Sequence, residues 1–369
     1  MVTILTGDCR DVLKTLPDAS VNCCVTSPPY WGLRDYGHAG QIGMEKTPGE
    51  FVENMVVVFR EVRRVLTDDG TLWLNLGDSY ASGKGTCFNP GGGESSLGKD
   101  RKEAGVHPLD RGNKSTLAAV GLKPKDLVGI PWRVAFALQA DGWWLRSDIV
   151  WAKPNPMPES VTDRPTKSHE YLFLLAKSDR YYYDAKAIME PVQSGPSDVR
   201  KMLESKDRID AKHFHTDAGP LAAANHRTHI GNKRAVGGYD PSHGKARPGR
   251  DGGPGQDRRS EEPREVTLFR NKRDVWTVGT STYDGAHFAT FPPALIAPCI
   301  LAGCPAGGTV LDPFGGSGTT GDVASGNGRR AVLVELNPEY AKLAQDRCGL
   351  FCSPNTAICV KGGGGKEDA

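Results

Sequence analysis

Near the carboxyl end of the chain, Val310-Leu311-Asp312-Pro313-Phe314-Gly315-Gly316-Ser317-Gly318-Thr319-Thr320 joins a short apolar strand run to a helix through a glycine-rich turn. Glycines there let a ligand approach the backbone, and the N–H groups of the helix N-terminus face it. The branched run Arg330 to Glu335 follows as a second strand, which completes a β-α-β unit. Such a crossover demands parallel strands. A helix over Pro293 to Leu301 precedes the unit and another over Pro338 to Arg347 follows it. At the amino end, Thr3-Ile4-Leu5, a helical stretch to Leu16 and the run Val21 to Val25 repeat the strand, helix, strand rhythm. The two ends together predict an α/β fold around a mostly parallel sheet.

Between them, Thr47-Pro48-Gly49-Glu50 supplies a capping hydroxyl, a proline at the first helical position and a glutamate at the third, the signature of a helix start. Phe51, Met55, Val58, Val62, Val65 and Leu66 then keep the spacing of one buried face. Asp68-Asp69-Gly70 predicts a break before a strand over Thr71 to Leu76. From Gly77 to about Lys123 the chain is glycine-rich and without periodicity, a long insertion that reads either as a lid over a site or as a disordered surface loop. A helix around Asp126 to Ala140, bent at Pro131, and strands over Trp143–Trp151, Tyr171–Ala176 and Tyr181–Tyr183 follow.

Charge is unevenly spread. Residues 191–275 hold 17 Lys and Arg against 12 Asp and Glu, a surplus of five, whereas the whole chain carries only +2. A basic, loop-rich block of this kind suits a surface that meets phosphates, although a disordered linker has the same composition. The length of 369 residues allows one large domain or two. No apolar run approaches the ~20 residues of a membrane span, and the N-terminus has no basic head with an apolar stretch, so a cytoplasmic protein without a membrane partner is expected. The nine cysteines form no CxxC pair, and Cys348, Cys352 and Cys359 match no common zinc spacing. Free thiols in a reducing compartment and no metal are therefore expected.

Glu335 ends its strand 23 residues after Asp312, where a carboxylate can accept hydrogen bonds from ribose hydroxyls. Gly316, Gly318 and Gly321 also satisfy GxGxxG, which keeps a nicotinamide dinucleotide reading open. Asp312 argues against it, because a carboxylate at the strand end repels a pyrophosphate and attracts a cation. S-adenosylmethionine carries an ammonium and a sulfonium and no phosphate, so it is the cofactor this pattern predicts.

Thr26-Ser27-Pro28-Pro29-Tyr30-Trp31 leaves the carboxyl end of a strand that reads as central, where open α/β sheets bind ligands. Two prolines stiffen the loop and remove two backbone donors, so carbonyls are the acceptors on offer. That suits methylation of an exocyclic amine. Its lone pair is delocalised into the ring, and a Ser27 oxygen and the Pro28 carbonyl accepting its protons would draw the nitrogen toward tetrahedral geometry. Tyr30 would stack on a base flipped out of the duplex, and alignment with the methyl group would supply much of the rate. No covalent intermediate is needed. Methylation at cytosine C5 instead requires a cysteine nucleophile; Pro298-Cys299 is such a dipeptide, but it lies in an apolar stretch that reads as a buried helix.

With these motifs in place, the sequence resembles the bacterial and phage DNA amino-methyltransferases of the β group, in which the catalytic motif precedes the cofactor motif. The resemblance covers about residues 1–184 and 270–347. It implies a Rossmann-like S-adenosylmethionine-dependent methyltransferase fold with circularly permuted motif order. Leu5-Thr6-Gly7-Asp8 matches the segment whose acidic residue contacts the cofactor adenine, which implies that role for Asp8. Ser27, Pro28, Pro29 and Tyr30 match the catalytic motif, with Thr26 beside it on the cofactor. Asp312, Phe314, Gly316, Ser317, Gly318 and Thr319 match the cofactor motif, with Glu335 as the ribose acceptor. His287-Phe288-Ala289-Thr290-Phe291-Pro292 looks like the segment that holds the methionine end, which implicates His287 and Phe291. Trp151-Ala152-Lys153-Pro154-Asn155 resembles a segment near the target base.

The layout implied is a catalytic half over 1–184 carrying the 77–123 insertion, a target-recognition region over 185–265, a cofactor-binding half over 266–349 and a flexible tail over 350–369. Serine at the first catalytic position is the commoner form among N4-cytosine enzymes and aspartate among N6-adenine enzymes. N4-cytosine methylation of double-stranded DNA is therefore expected, with N6-adenine open. A cognate restriction endonuclease is a possible partner, and the protein is expected to be a monomer or homodimer.

Overall fold

The computed structural model describes residues 1–33, 37–38, 40–81, 87–88, 121–192, 269–280, 291–349 and 358–359. The expected long insertion and the recognition region lie for the most part outside these residues, and so do His287 and nearly all of the 350–369 tail. The chain divides into two compact units, Met1–Met189 with Asn271–Ala369, and Glu190–Arg270.

In chain order the strands are β1 (Val2–Thr6), β2 (Val21–Thr26), β3 (Leu66–Leu76), β4 (Tyr80–Ala81), β5 (Cys87–Phe88), β6 (Trp144–Ala152), β7 (His169–Ala176), β8 (Glu190–Pro191), β9 (Phe269–Arg270), β10 (Val275–Thr277), β11 (Thr309–Asp312), β12 (Arg330–Glu335) and β13 (Ile358–Cys359). The helices are α1 (Cys9–Val12), α2 (Pro48–Val65), α3 (Ile130–Ala140), α4 (Pro293–Gly303), α5 (Thr319–Gly326) and α6 (Pro338–Cys348).

The larger unit is built on a nine-stranded sheet of order β10-β6-β7-β3-β2-β11-β12-β1-β13. Every pairing is parallel except those of β7 with β3 and β6. A loop without a helix, Lys153–Ser168, connects β6 to β7, which permits an antiparallel return. One core layer packs α2 and α3 on the sheet through Phe51, Met55, Val58, Val134 and Leu138, and a second packs α4 on the opposite face through Leu295, Ile296, Cys299 and Ile300. Both faces are covered, which is why β2 and β11 are almost wholly buried along their length. In the smaller unit, β8 and β9 pair antiparallel, with Arg270 Nε donating to Glu190 Oε1 at 2.8 Å.

Most expected elements form. Thr47 and Glu50 close the reciprocal capping box of α2, worth about 1 kcal/mol. Three expectations are corrected. The strand predicted from Thr71 begins at Leu66, and its register against β2 shifts between Val21 and Cys23. The Asp68-Asp69-Gly70 segment therefore bulges within the strand instead of breaking the chain before it. Pro131 does not bend a helix. It occupies the first turn of α3, where the missing N–H breaks no helical bond. Tyr181–Tyr183 forms no strand: Tyr182 N donates to Asp69 O, Tyr181 OH accepts from Arg146 and Tyr183 stacks on Trp73, so its aromatics serve packing.

Among the described residues no helix is long and apolar enough to cross a membrane. Cys9, Cys23, Cys24, Cys299, Cys304 and Cys348 are buried free thiols. Burial pushes the Cys9 thiol up to about 12.

Candidate active site

The chain leaves β2 toward β3 on one side and β11 toward β12 on the other, so a topological switch point falls between β2 and β11, where open α/β sheets hold ligands beyond the strand ends. The carboxyl ends of both strands open into a cavity of about 590 Å³, a size that suits a cofactor with part of a substrate.

Asp312 locks the switch point together. It is almost fully buried. Its Oδ1 accepts from Thr26 Oγ1 at 2.6 Å and from Phe314 N at 3.0 Å, and its Oδ2 accepts from Thr320 Oγ1 at 2.6 Å. Burial raises its carboxyl above the ordinary aspartate value, and the three donors offset only part of that. Thr26 and Asp312 are 286 residues apart in sequence, and this contact joins β2 to β11.

The glycine turn wraps back onto Glu335. Gly316 N donates to Glu335 Oε2 and Asn337 N to Glu335 Oε1, both at 2.8 Å. Burial raises this carboxyl too, despite the two backbone donors. Gly318 adopts φ +84°, and a Cβ on it would sit 2.9 Å from Ala344 Cα of α6, so glycine is required twice over. Arg347 Nη1 donates to Ser317 Oγ at 3.1 Å and to Thr319 Oγ1 at 2.8 Å, fixing the turn from α6. Beyond β1, Asp8 caps α1 and accepts from Arg10 N at 2.9 Å and from the Arg10 guanidinium. Burial works to raise the Asp8 carboxyl, but the Arg10 bonds and charge outweigh it and hold it below the ordinary value.

The opposite wall comes from β2, β3, β6 and β7. Tyr30 rests on Gly77, where a Cβ would approach its ring to 2.5 Å. Its hydroxyl donates to Glu170 Oε2 at 2.7 Å and lies 3.1 Å from Asn75 Oδ1 and 3.4 Å from Ser27 Oγ. Asn75 Nδ2 donates to Glu170 Oε2 at 3.2 Å and to Tyr171 O at 3.1 Å. Lys153 pairs with Glu170 Oε1 while its ammonium lies 4.4 Å from the Trp151 ring centroid. Lys167 Nζ donates to Asp78 O at 3.1 Å, and burial lowers its pKa.

Of the residues expected from sequence, Ser27, Pro28, Pro29 and Tyr30 line this cavity. So do Asp8, Phe291, Asp312, Phe314, Gly316, Ser317, Thr319 and Glu335. Thr26 and Gly318 stand behind the wall, one holding Asp312 and the other seating the turn on α6. Cys299 is buried within α4, its Sγ 3.5 Å from Leu295 O, and burial raises its thiol far above the ordinary value. Asn75, Glu170, Lys167 and Arg347 went unrecognised from sequence. Lys153 is implicated only as part of a segment, and Asn75 and Glu170 carry no sequence signal, the one being a polar residue near the end of a strand run and the other lying just before the run predicted from Tyr171.

One cavity at the switch point thus joins the Pro-Pro-Tyr loop to a glycine turn that lies between the buried Asp312 and the half-buried Glu335. The model of the DNA methylase family, which covers N6 and N4 methyltransferases, matches residues 21–346. This chain belongs to the DNA methylase family. The methylase is 43% identical over 351 residues to the type II methyltransferase M.Cfr9I of Citrobacter freundii, covering 94% of this chain and 87% of the relative. It is 45% identical over 345 residues to the type II methyltransferase M.XycI of Xanthomonas campestris pv. cyanopsidis, again covering 94% and 87%. In fold it is similar to the solved PvuII DNA methyltransferase (cytosine-N4-specific), with a TM-score of 0.53 at 16% identity over 96% of this chain and 87% of that one. The methylase thus has the Rossmann-like fold of S-adenosylmethionine-dependent methyltransferases, as its motifs predicted, with β11 late in sequence and adjacent to β2 in space.

Proposed function

We propose that this methylase transfers a methyl group from S-adenosylmethionine to the N4 amine of a cytosine flipped out of duplex DNA. The observation that carries the reading is that Ser27-Pro28-Pro29-Tyr30 and the Gly315–Ser317 turn with Glu335 line one cavity. The wall fits the cofactor. Asp8, Asp312 and Glu335 offer carboxylates to a ligand bearing an ammonium, a sulfonium and ribose hydroxyls, and Phe291 and Phe314 give apolar surface. The same three carboxylates disfavour a dinucleotide pyrophosphate.

When bound, S-adenosylmethionine supplies a methyl group activated by its sulfonium. The chain does the rest. Ser27 Oγ and the Pro28 carbonyl accept hydrogen bonds from the amino protons of the base, and the proton that the amine loses as its bond to the methyl carbon forms passes to bulk water. Tyr30, steadied by Glu170 and Asn75, presents its ring for stacking. The buried wall excludes water and fixes the amine in line, which supplies much of the rate. Cytosine is favoured by Ser27, which stands where an aspartate is the commoner residue of adenine enzymes. The relatives' type II name supports a place in a restriction-modification system in the bacterial cytoplasm, with a cognate endonuclease as partner. The domain layout read from sequence, with target recognition in 185–265, belongs to the same reading.

Separation of nucleosides from DNA modified by the protein tests it. N4-methylcytosine is the expected product. Accumulation of N6-methyladenine alone overturns the base assignment and leaves the amino-methyltransferase reading standing; C5-methylcytosine overturns the mechanism.

A further inference from the structure

The loop Lys153–Ser168, which links β6 to β7, forms part of the cavity rim. Met157 stands on this rim. Its side chain is 61% exposed, and of the large exposed apolar side chains among the described residues it alone lines the cavity. A singly exposed apolar side chain is ordinary on a protein surface; what sets Met157 apart is its place at the cavity mouth.

The loop that carries Met157 is held at several points. Asn155 Oδ1 accepts from Thr280 N at 3.1 Å. Arg164 Nη1 bonds Glu159 at 2.7 Å, with the Glu159 side chain only 3% exposed. The Arg164 guanidinium also lies 3.9 Å from the Tyr80 ring centroid. Pro156 and Pro158 flank Met157 and restrict its backbone. An unbranched apolar side chain is thus presented at the mouth from an anchored, proline-stiffened support. Proteins that open base stacks insert apolar side chains of this kind into the gap. A base leaving the duplex for the cavity leaves such a gap, and methionine adapts to its irregular shape.

We propose that Met157 is the wedge that enters the duplex as the target nucleotide swings out, occupying the space its base vacates. The proposal rests on the reading that the methylase acts on a base flipped from duplex DNA, and it holds for cytosine or adenine alike. Met157 acts before methyl transfer, by raising the population of the flipped state, so its contribution depends on how costly the base is to extract.

The test uses the full-length protein and a duplex containing a site mapped from DNA that the wild type has modified. Met157→Ala is expected to lower kcat/KM about ten- to a hundredfold on the paired duplex, the loss of most of one buried apolar side chain. Its affinity for S-adenosylmethionine and its thermal midpoint should match the wild type. On a duplex with an abasic site opposite the target, extraction is easier, and the variant should recover to within about threefold of the wild type. Met157→Leu should keep most activity on both substrates. Full activity of Met157→Ala on the paired duplex overturns the wedge, as does a loss that persists opposite the abasic site. A wild type that methylates single strands and no duplex overturns the duplex reading itself, a failure recognisable before any variant is made.

Discussion

The two walls of the cavity are built differently. On the side proposed to hold the cofactor, Asp312 and Glu335 are held mainly by groups close in sequence: backbone N–H groups of Phe314, Gly316 and Asn337, and the Thr320 hydroxyl. On the side proposed to face the base, Tyr30, Asn75, Lys153 and Glu170 hold one another through side chains drawn from β3 and β7 and from the loops that follow β2 and β6. The first wall draws most of its bonds from one stretch of sequence, with Thr26 tying it to β2. The second exists only once distant strands have assembled. Damage to the first should therefore reach stability and cofactor binding, and damage to the second should reach turnover.

Asp312→Ala should have the largest effect. It strands two hydroxyls and an amide, each costing about 1–3 kcal/mol when buried without a partner, while relieving the burial of a carboxylate. A net loss of about 3 kcal/mol in urea unfolding is expected, together with loss of cofactor binding by calorimetry. A variant as stable as the wild type would mean that the switch point is held by something other than this carboxylate.

Tyr30→Ala comes next and should divide the walls most clearly. Base stacking on an aromatic contributes about 1–3 kcal/mol, so kcat should fall about a hundredfold, with cofactor affinity changed less than twofold. If cofactor affinity fell as far as turnover, the two walls would be one unit and the contrast would fail.

Glu335→Gln is a smaller change on the cofactor side. It keeps an acceptor but loses charge, so the dissociation constant of the cofactor should rise about tenfold, equivalent to about 1.4 kcal/mol. The wild type adds a pH signature. Burial raises the Glu335 carboxyl, so it takes up its proton at a higher pH than a free glutamate would. Cofactor affinity should therefore decline as pH falls, with a midpoint above the ordinary glutamate range, and Glu335→Gln should flatten that part of the profile. The Asp8 carboxyl, lowered by Arg10, stays ionised through the same window. A wild-type profile flat down to the ordinary glutamate range would show that Glu335 does not govern binding.

The same contrast explains what could be read in advance. The cofactor wall was legible because strand, glycine turn, helix and Glu335 fall within one continuous stretch with fixed offsets. The place of the Ser27–Tyr30 loop on the cavity was legible because Pro28 and Pro29 restrict the backbone whatever surrounds them. Asn75 and Glu170 were invisible because their meaning comes from strand order: β7 lies antiparallel beside β3, which brings residues 95 apart within hydrogen-bond reach. The misread Tyr181–Tyr183 strand has the same origin, since its aromatic pattern satisfies a strand rule while its side chains are used by Trp73 and Arg146. Local chemistry is written locally; partners across a sheet are fixed by topology.

The finest test concerns whether the base-side network acts as one device. Tyr30→Phe removes the hydroxyl that reaches Glu170 and Asn75 but keeps the ring on Gly77. Glu170→Gln removes the charge that pairs with Lys153. Each should lower kcat about three- to tenfold, the worth of one hydrogen bond at about 0.7–1.4 kcal/mol, with little change in KM for DNA. If both act by steadying the ring, the double variant should be no slower than the worse single one, because each already releases the same constraint. Multiplying losses would mean instead that Glu170 has its own contact with the base, and the wall would then be two sites side by side.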